Sequence, residues 1–247
     1  MKNVVLIRHG QSLGQTARQQ GLRRQDSSFT DCFLTRKGVQ EAIQLRSNLV
    51  LNQYKFGLVC TSPLSRAVAT CVLALGDIIE NEIQENGVAS TKFIANSDIS
   101  EAGKGIPENR GRAIQVLLQD LRVKLSIVSP SVVSLRHIDF SMLPEEWPEI
   151  EHGKSEQKKK LERFVEWLAN RPEENIAVVC HYNVIKWMLN NSIDRVPNCV
   201  PIECVLTDDA RLVLKSERSE SNMGREGNAS KKKSRNGAQR KNRKNKK

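Results

Sequence analysis

Apolar runs of four to six residues recur along residues 1–215 and alternate with segments of amphipathic, helical pattern. The two strongest runs, residues 4–7 and 176–180, are rich in valine and isoleucine, which is typical of strands buried on both faces. Weaker runs predict further strands at residues 56–60, 92–95, 201–206 and 211–214, the last two forming a hairpin.

Apolar residues spaced i, i+3, i+4 and i+7 predict helices between these strands. Thr35 is suited to cap a helix that ends near Asn52, and the Thr61-Ser62-Pro63 segment is typical of a helix start. Pro107 is placed to begin another helix, and two more are predicted around residues 161–168 and after Tyr182.

The polar segments predict loops. These are residues 11–33, which form either an active-site loop or a long surface connection, residues 77–87 and residues 130–153. Strands that alternate with helices predict one domain with a three-layer α/β/α fold, doubly wound around a mostly parallel sheet.

The basic side chains are unevenly distributed. The net charge is +11, but residues 231–247 hold ten of the 39 Lys and Arg and no acidic residue, so the preceding residues are almost neutral. We therefore predict a folded domain at residues 1–215 and a disordered basic tail at residues 216–247. The tail is expected to bind RNA nonspecifically, to bind a nuclear import receptor, or only to solubilise the protein.

The cysteines and the hydropathy pattern narrow the class of protein. The six cysteines are irregularly spaced without a C-x-x-C pair, which indicates reduced core thiols and no metal site. The first apolar run is too short for a signal peptide, and none approaches the ~18 residues that cross a bilayer. We expect a protein of the cytoplasm, the nucleus or both, with no membrane partner.

Charged and imidazole side chains follow three of the predicted buried strands. Arg8 and His9 follow the first strand, Arg66 lies one turn beyond the second, and His181 follows residues 176–180. Parallel strands would bring these side chains to one sheet edge, where ligands bind in such folds. Guanidinium groups suit phosphate, and a neutral imidazole can attack phosphorus. Glu101, in a glycine-containing loop, is the candidate proton donor.

Several motifs resemble the histidine phosphatase (phosphoglycerate mutase-like) superfamily in order and spacing over roughly residues 3–206. They are Arg8-His9-Gly10-Gln11-Ser12, Leu34-Thr35 with Gly38, Thr61-Ser62-Pro63-Leu64-Ser65-Arg66-Ala67 with Thr70, Ser100-Glu101 and Val178-Val179-Cys180-His181.

The resemblance implies His9 as the phosphorylated nucleophile and Glu101 as the proton donor. It implies a phosphate pocket of Arg8, Arg66 and His181, with Ser12 beside them, and neither metal nor cofactor.

Some residues depart from the pattern of that superfamily. Gln15 stands where many members have Asn, and Tyr182-Asn183 stand where many have two glycines, so we expect a reshaped pocket wall. Gln11 and the missing aromatic signatures of the mutase branch favour a phosphatase.

The sequence therefore predicts a metal-independent phosphatase that hydrolyses a phosphorylated small molecule or phosphoprotein through a phosphohistidine. One alternative is a phosphoglycerate mutase-type phosphotransferase. The other is a catalytically weak module that binds a phosphorylated ligand and is tethered by its tail to nucleic acid or a nuclear partner.

Overall fold

The apolar runs form one seven-stranded sheet in the computed structural model of the chain. The strands are Lys2–Arg8 (β1), Leu58–Thr61 (β2), Lys92–Ala95 (β3), Ile138–Asp139 (β4), Asn175–Cys180 (β5), Pro201–Leu206 (β6) and Leu212–Leu214 (β7). Their order is β4-β3-β2-β5-β1-β6-β7; β6 is antiparallel to both of its neighbours, β1 and β7, and the other four pairs of strands are parallel. The predicted fold class is confirmed.

The described part of the chain comprises residues 1–22, 25–103, 105–128, 132–145, 147 and 154–215. The predicted basic tail at residues 216–247, and part of the predicted excursion at residues 130–153, lie outside it. Within the described part of the excursion, β4 pairs with β3 and forms one edge of the sheet.

Helices cover both faces of the sheet. They are Leu13–Gln19 (α1), Arg36–Gln44 (α2), Leu49–Asn52 (α3), Ser65–Asn86 (α4), Ile114–Ser126 (α5), Lys154–Ala169 (α6) and Tyr182–Met188 (α7). Alternate residues of each strand enter opposite cores: Val5 and Ile7 pack with α2, α4 and α5, whereas Val4 and Leu6 pack with α6 and α7. This alternation is the physical reason for the three layers.

The longest helix overturns one predicted loop. Residues 77–87 were expected to form a loop because they are polar, but α4 continues through them to Asn86. Ile79 is buried in the core and anchors the last turns. The helix ends at Gly87, whose φ of 76° lies in the left-handed region that glycine adopts without strain.

Two other predicted boundaries are wrong. Pro107 begins only a short 3₁₀ turn, Pro107–Asn109, and α5 starts at Ile114, where Leu117 and Leu121 provide the buried face. The segment at residues 11–33 contains α1, since Ser12 and Gln15 form a capping box that favours a helix. Thr35 caps α2 as predicted, accepting the Gly38 N–H at 3.0 Å.

The start of α4 is capped by a residue distant in sequence. The helix begins at Ser65 rather than directly after Pro63, and Leu64 at its N-cap offers no side-chain acceptor. The buried Asp31 carboxylate accepts the Ser65 N–H at 2.7 Å and the Ser65 hydroxyl at 2.6 Å, and Arg112 Nε donates to it at 3.0 Å. Burial raises the pKa of Asp31, against these hydrogen bonds.

The sequence predicted reduced cysteines in the core and no apolar stretch long enough to cross a bilayer. All six cysteines are buried free thiols, as predicted. Within the described ranges, no helix is both long enough and apolar enough to cross a membrane.

Replacing Asp31 should destabilise the domain. In Asp31→Ala, the first N–H of α4 and the Arg112 guanidinium lose a buried partner, so we expect the free energy of unfolding to fall by about 2 to 3 kcal/mol. Urea denaturation monitored by circular dichroism measures the difference.

Asp26→Ala is the matched control, because Asp26 caps a surface 3₁₀ turn through the Ser28 N–H at 2.9 Å. Its midpoint should stay close to that of the unaltered protein. Equal losses in the two variants would contradict the role of Asp31.

Candidate active site

The carboxyl ends of four parallel strands meet at one level of the sheet. In the strand register Arg8 lies opposite Cys180, and Thr61 lies opposite both Val179 and Ala95. The segments that leave these strands therefore start side by side. This alignment brings together the predicted site residues from four distant parts of the sequence.

His9 is buried and held in one tautomer by the backbone. Its Nδ1 lies 2.7 Å from the carbonyl oxygen of Gly10, which can only accept, so Nδ1 carries the proton. The unprotonated Nε2 then faces Arg66, whose Nε–H donates to it at 3.3 Å. Burial, with Arg66 and Arg8 adding to it, keeps the pKa of His9 well below its ordinary value. His9 therefore presents a neutral lone pair on Nε2.

Arg66 is fixed by neutral acceptors. Its Nη1 donates to the backbone oxygen of Glu108, and its Nη2 donates to Asn109 Oδ1 at 3.0 Å. Asn109 in turn donates to the Ala102 carbonyl at 2.9 Å. Only 3% of Arg66 is exposed, which excludes a solvated surface side chain.

Arg8 lies on the other side of the site. Its Nη1 donates to the Val196 carbonyl at 2.7 Å, and its guanidinium carbon lies 5.1 Å from the ring centre of Tyr182, a cation–π distance. The Nε of Arg8 is buried without a partner among the described residues. Tyr182, one of the residues that depart from the superfamily pattern, thus packs against a cation of the site.

His181 is fully buried directly behind His9. The two ring centres are 5.1 Å apart, and His181 Nε2 lies 2.8 Å from Ser62 Oγ. Burial lowers the pKa of His181 well below its ordinary value, and Arg66 and His9 lower it further. Its Nδ1 is buried and has no hydrogen-bond partner among the described residues.

Glu101 is held by Asn183, which also departs from the superfamily pattern. Asn183 Nδ2 donates to Glu101 Oε1 at 3.1 Å and its N–H donates to Oε2 at 3.3 Å, while the Ala102 N–H donates at 3.1 Å. Removal from bulk water raises the pKa of Glu101, although Arg66 and these hydrogen bonds act in the opposite direction. A raised pKa favours a carboxyl group that can hold and release a proton.

Ser12 lines the cavity and also forms hydrogen bonds with Gln15. Its Oγ accepts the Gln15 N–H at 3.3 Å, while its own N–H donates to Gln15 Oε1 at 3.0 Å. Gln15 Nε2 also reaches Asn198 Oδ1 at 3.3 Å, and Asn198 donates to the His9 carbonyl at 2.5 Å. Gln15 therefore supports the turn that carries His9.

These side chains surround a polar cavity of about 250 Å³. Its walls include Arg8, His9, Ser12, Gln15, Arg18, Arg66, Glu101, Ala102, Ile106, Glu108, Asn109, Tyr182 and Asn183. All the predicted site residues line it except His181, which lies behind His9. Among the described residues no cluster of His, Cys, Asp and Glu is arranged to hold a metal ion.

Several supporting residues were missed in the sequence. Arg18 and Glu108 form an ion pair in the cavity wall, and Asn109 and Asn198 orient Arg66 and His9. They lie in α1 or in loops that carry no strand or helix periodicity pointing to the cavity. The only available signal was their polarity, which a solvated loop shares.

Comparisons with known proteins agree with this geometry. The family model of the histidine phosphatase superfamily (branch 1) matches residues 4–87. A 2,3-bisphosphoglycerate-dependent phosphoglycerate mutase from Parabacteroides distasonis is 26% identical over 231 residues, covering 86% of this chain and 90% of the relative.

Two solved structures share the fold. The ecdysone phosphate phosphatase of Bombix mori, in complex with tungstate, aligns with a TM-score of 0.56 at 14% identity, covering 86% of this chain and 92% of that one. The α-ribazole phosphatase of Shigella flexneri aligns with a TM-score of 0.51 at 20% identity, covering 86% and 94%. These likenesses show the three-layer α/β fold. Over residues 4–87 the chain is similar to the histidine phosphatase superfamily.

The protonation of His9 can be tested directly. Because burial and the neighbouring arginines oppose a positive charge, His9 should remain the neutral Nδ1–H tautomer between about pH 6 and pH 8, where an exposed histidine titrates. Nitrogen-15 NMR of the imidazole groups measures this, with His9→Gln assigning the signal. An imidazolium pattern at pH 6, or an Nε2–H tautomer, would contradict the geometry.

Proposed function

We propose that the protein is a metal-independent phosphoric monoester hydrolase that acts through a phosphohistidine on His9. The observation that carries the proposal is the neutral His9 Nε2, which faces the cavity beside Arg66 while its Nδ1–H is held by the Gly10 carbonyl at 2.7 Å. A nucleophile with a fixed lone pair and adjacent fixed cations is suited to phosphoryl transfer.

In the first step, the Arg66 Nε–H moves its hydrogen bond from His9 Nε2 to a phosphoryl oxygen, and the released Nε2 lone pair attacks the phosphorus atom. The bond from nitrogen to phosphorus forms as the ester P–O bond breaks, and Glu101 gives its proton to the departing oxygen, which leaves as an alcohol. The new positive charge on the imidazole is shared with Nδ1–H, which remains bonded to the Gly10 carbonyl.

In the second step, the Glu101 carboxylate takes a proton from water as the water oxygen attacks phosphorus. The N–P bond breaks, its electron pair returns to His9 Nε2, and inorganic phosphate leaves. Glu101 is protonated again, so both groups are restored for the next cycle.

The arginines supply the charge that this chemistry requires. Arg8 and Arg66 are held by carbonyl and amide oxygens and an aromatic ring, so their positive charges are not neutralised by a bonded carboxylate. A phosphoryl group carries two negative charges that these guanidinium groups can match.

One observation favours hydrolysis over phosphoglycerate isomerisation. The cavity of about 250 Å³ suits any compact phosphate ester, phosphoglycerate included, so the charges of its wall must decide. A mutase would need a further cation for the carboxylate of phosphoglycerate, and the third arginine of the described lining, Arg18, is paired with Glu108.

His9 should be required for both turnover and covalent labelling. With a radiolabelled phosphate ester, acid-labile and alkali-stable label should appear on the wild type and be absent from His9→Ala, whose turnover should fall about 1,000-fold or more. Phosphate release in the presence of EDTA and quenched-flow labelling measure the two effects.

His137→Ala is the matched control, because His137 is exposed and lies outside the cavity wall. It should keep both labelling and turnover. Full activity of His9→Ala would refute the proposal, and binding of phosphate esters by the wild type without turnover would support the binding-module alternative.

The two reactions of the superfamily can be separated in one assay. With 3-phosphoglycerate and catalytic 2,3-bisphosphoglycerate, we expect formation of 2-phosphoglycerate at less than about one-hundredth of the rate of phosphate release from the best ester in a panel. The panel contains phosphoserine peptides, sugar phosphates and nucleotides. Fast isomerisation with little phosphate release would identify a mutase.

A further inference from the structure

A stripe of polar side chains on α6, formed by Gln157, Lys160 and Arg163, contacts the turn that precedes Glu101. The 3₁₀ turn Ser97–Ile99 lies against this helix. Gln157 Nε2 donates to the Asp98 carbonyl at 2.8 Å, Arg163 Nη2 donates to Asp98 Oδ1 at 3.0 Å, and Lys160 Nζ lies 3.5 Å from the Ser97 carbonyl. Residues three apart are neighbours on one helix face, so the three contacts act together.

The turn is rigid on its own account. Asn96 Oδ1 accepts the Asp98 N–H at 2.8 Å, and the Ser100 N–H donates to the Ser97 carbonyl at 3.1 Å. Ile99 is fully buried in the core that α6 helps to form. Because Glu101 is only two residues beyond Ile99, the position of this turn fixes where the Glu101 backbone enters the cavity.

The same helix also supports the second contact of Glu101. Leu161, Phe164 and Leu168 of α6 share a core with Val184 and Ile185 of α7. Asn183, which binds the Glu101 carboxylate, lies at the start of α7. One helix therefore packs against both the backbone support and the side-chain support of this carboxyl group.

Burying the polar side chains of the α6 stripe costs desolvation free energy, so packing alone does not explain why they are polar. Gln157 is fully buried and 6% of Lys160 is exposed, and desolvation lowers the pKa of Lys160 to about 8. Apolar side chains would bury the same surface without that penalty. The hydrogen bonds to the turn give these residues a reason to be polar.

We propose that Gln157, Lys160 and Arg163 are positioning residues that hold Glu101 at the distance from which it protonates the leaving group. None of the three lines the cavity, so they act only through the turn Ser97–Ile99. This inference rests on the proposed function, in which Glu101 is the proton donor.

The test compares two esters whose leaving groups differ in how much they need a proton from Glu101. The alcohol of phenyl phosphate leaves poorly without an acid, whereas p-nitrophenolate leaves readily, and kcat/KM reports the steps up to phosphohistidine formation. In the full-length double variant Gln157→Met/Arg163→Met, we expect kcat/KM to fall about tenfold for phenyl phosphate and to stay within about twofold for p-nitrophenyl phosphate. Retained activity with the second ester also shows that the variant folds.

Two further variants frame the result. Glu101→Gln should lose about 100-fold with phenyl phosphate and far less with p-nitrophenyl phosphate. Lys159→Met, on the exposed side of the same helix, should change neither value. Equal losses with both esters in the double variant, or no loss, would overturn the inference while leaving the proposed function intact. If Glu101→Gln is not selective, Glu101 is not the proton donor and this inference fails, whereas the labelling of His9→Ala tests the proposed function separately.

Discussion

The structure depends on burying two guanidinium groups at the carboxyl edge of the sheet without pairing them to carboxylates. Burying charge is expensive unless the charge is compensated. Arg66 is met by a backbone carbonyl and the Asn109 amide, and Arg8 by the Val196 carbonyl and the Tyr182 ring. These neutral partners orient the guanidinium groups but leave their positive charge uncompensated, so the site is prepared for an anion.

The same field accounts for the state of the histidines. Burial, with nearby positive charge adding to it, lowers the pKa of His9 and of His181 and keeps both imidazoles neutral. Burial raises the pKa of Glu101, whereas Arg66 lowers it. One set of buried and charged groups thus shifts the pKa values of the two histidines and of the carboxyl group.

The sequence predicted the parts of this structure that are periodic or that end a strand. The apolar runs at residues 4–7 and 176–180 predicted the central strands. His9 and His181 follow these strands directly, so the sequence also predicted that they lie at the same edge of the sheet, because parallel strands end at one edge. The hydrogen bonds that support the site and α4 could not be predicted, because they join segments far apart in the chain. They connect Asp31 with Ser65, Asn183 with Glu101, and Asn198 with His9. The polar composition of residues 77–86 predicted a loop, but these residues continue α4, and Ile79 is the residue among them that is buried.

Two glycines show why the turn that carries His9 cannot shift. A Cβ at Gly10 would overlap the Gly38 carbonyl, and one at Gly38 would overlap the Gln11 backbone, so α2 approaches the turn more closely than any other residue would allow. The approach permits Thr35 N–H to donate to the Gln11 carbonyl at 2.9 Å. Asn198 also donates to the His9 carbonyl, so the backbone on each side of Gly10 is held by a hydrogen bond. An imidazole held in this way needs little reorganisation to meet a ligand, which is the property that preorganised sites share.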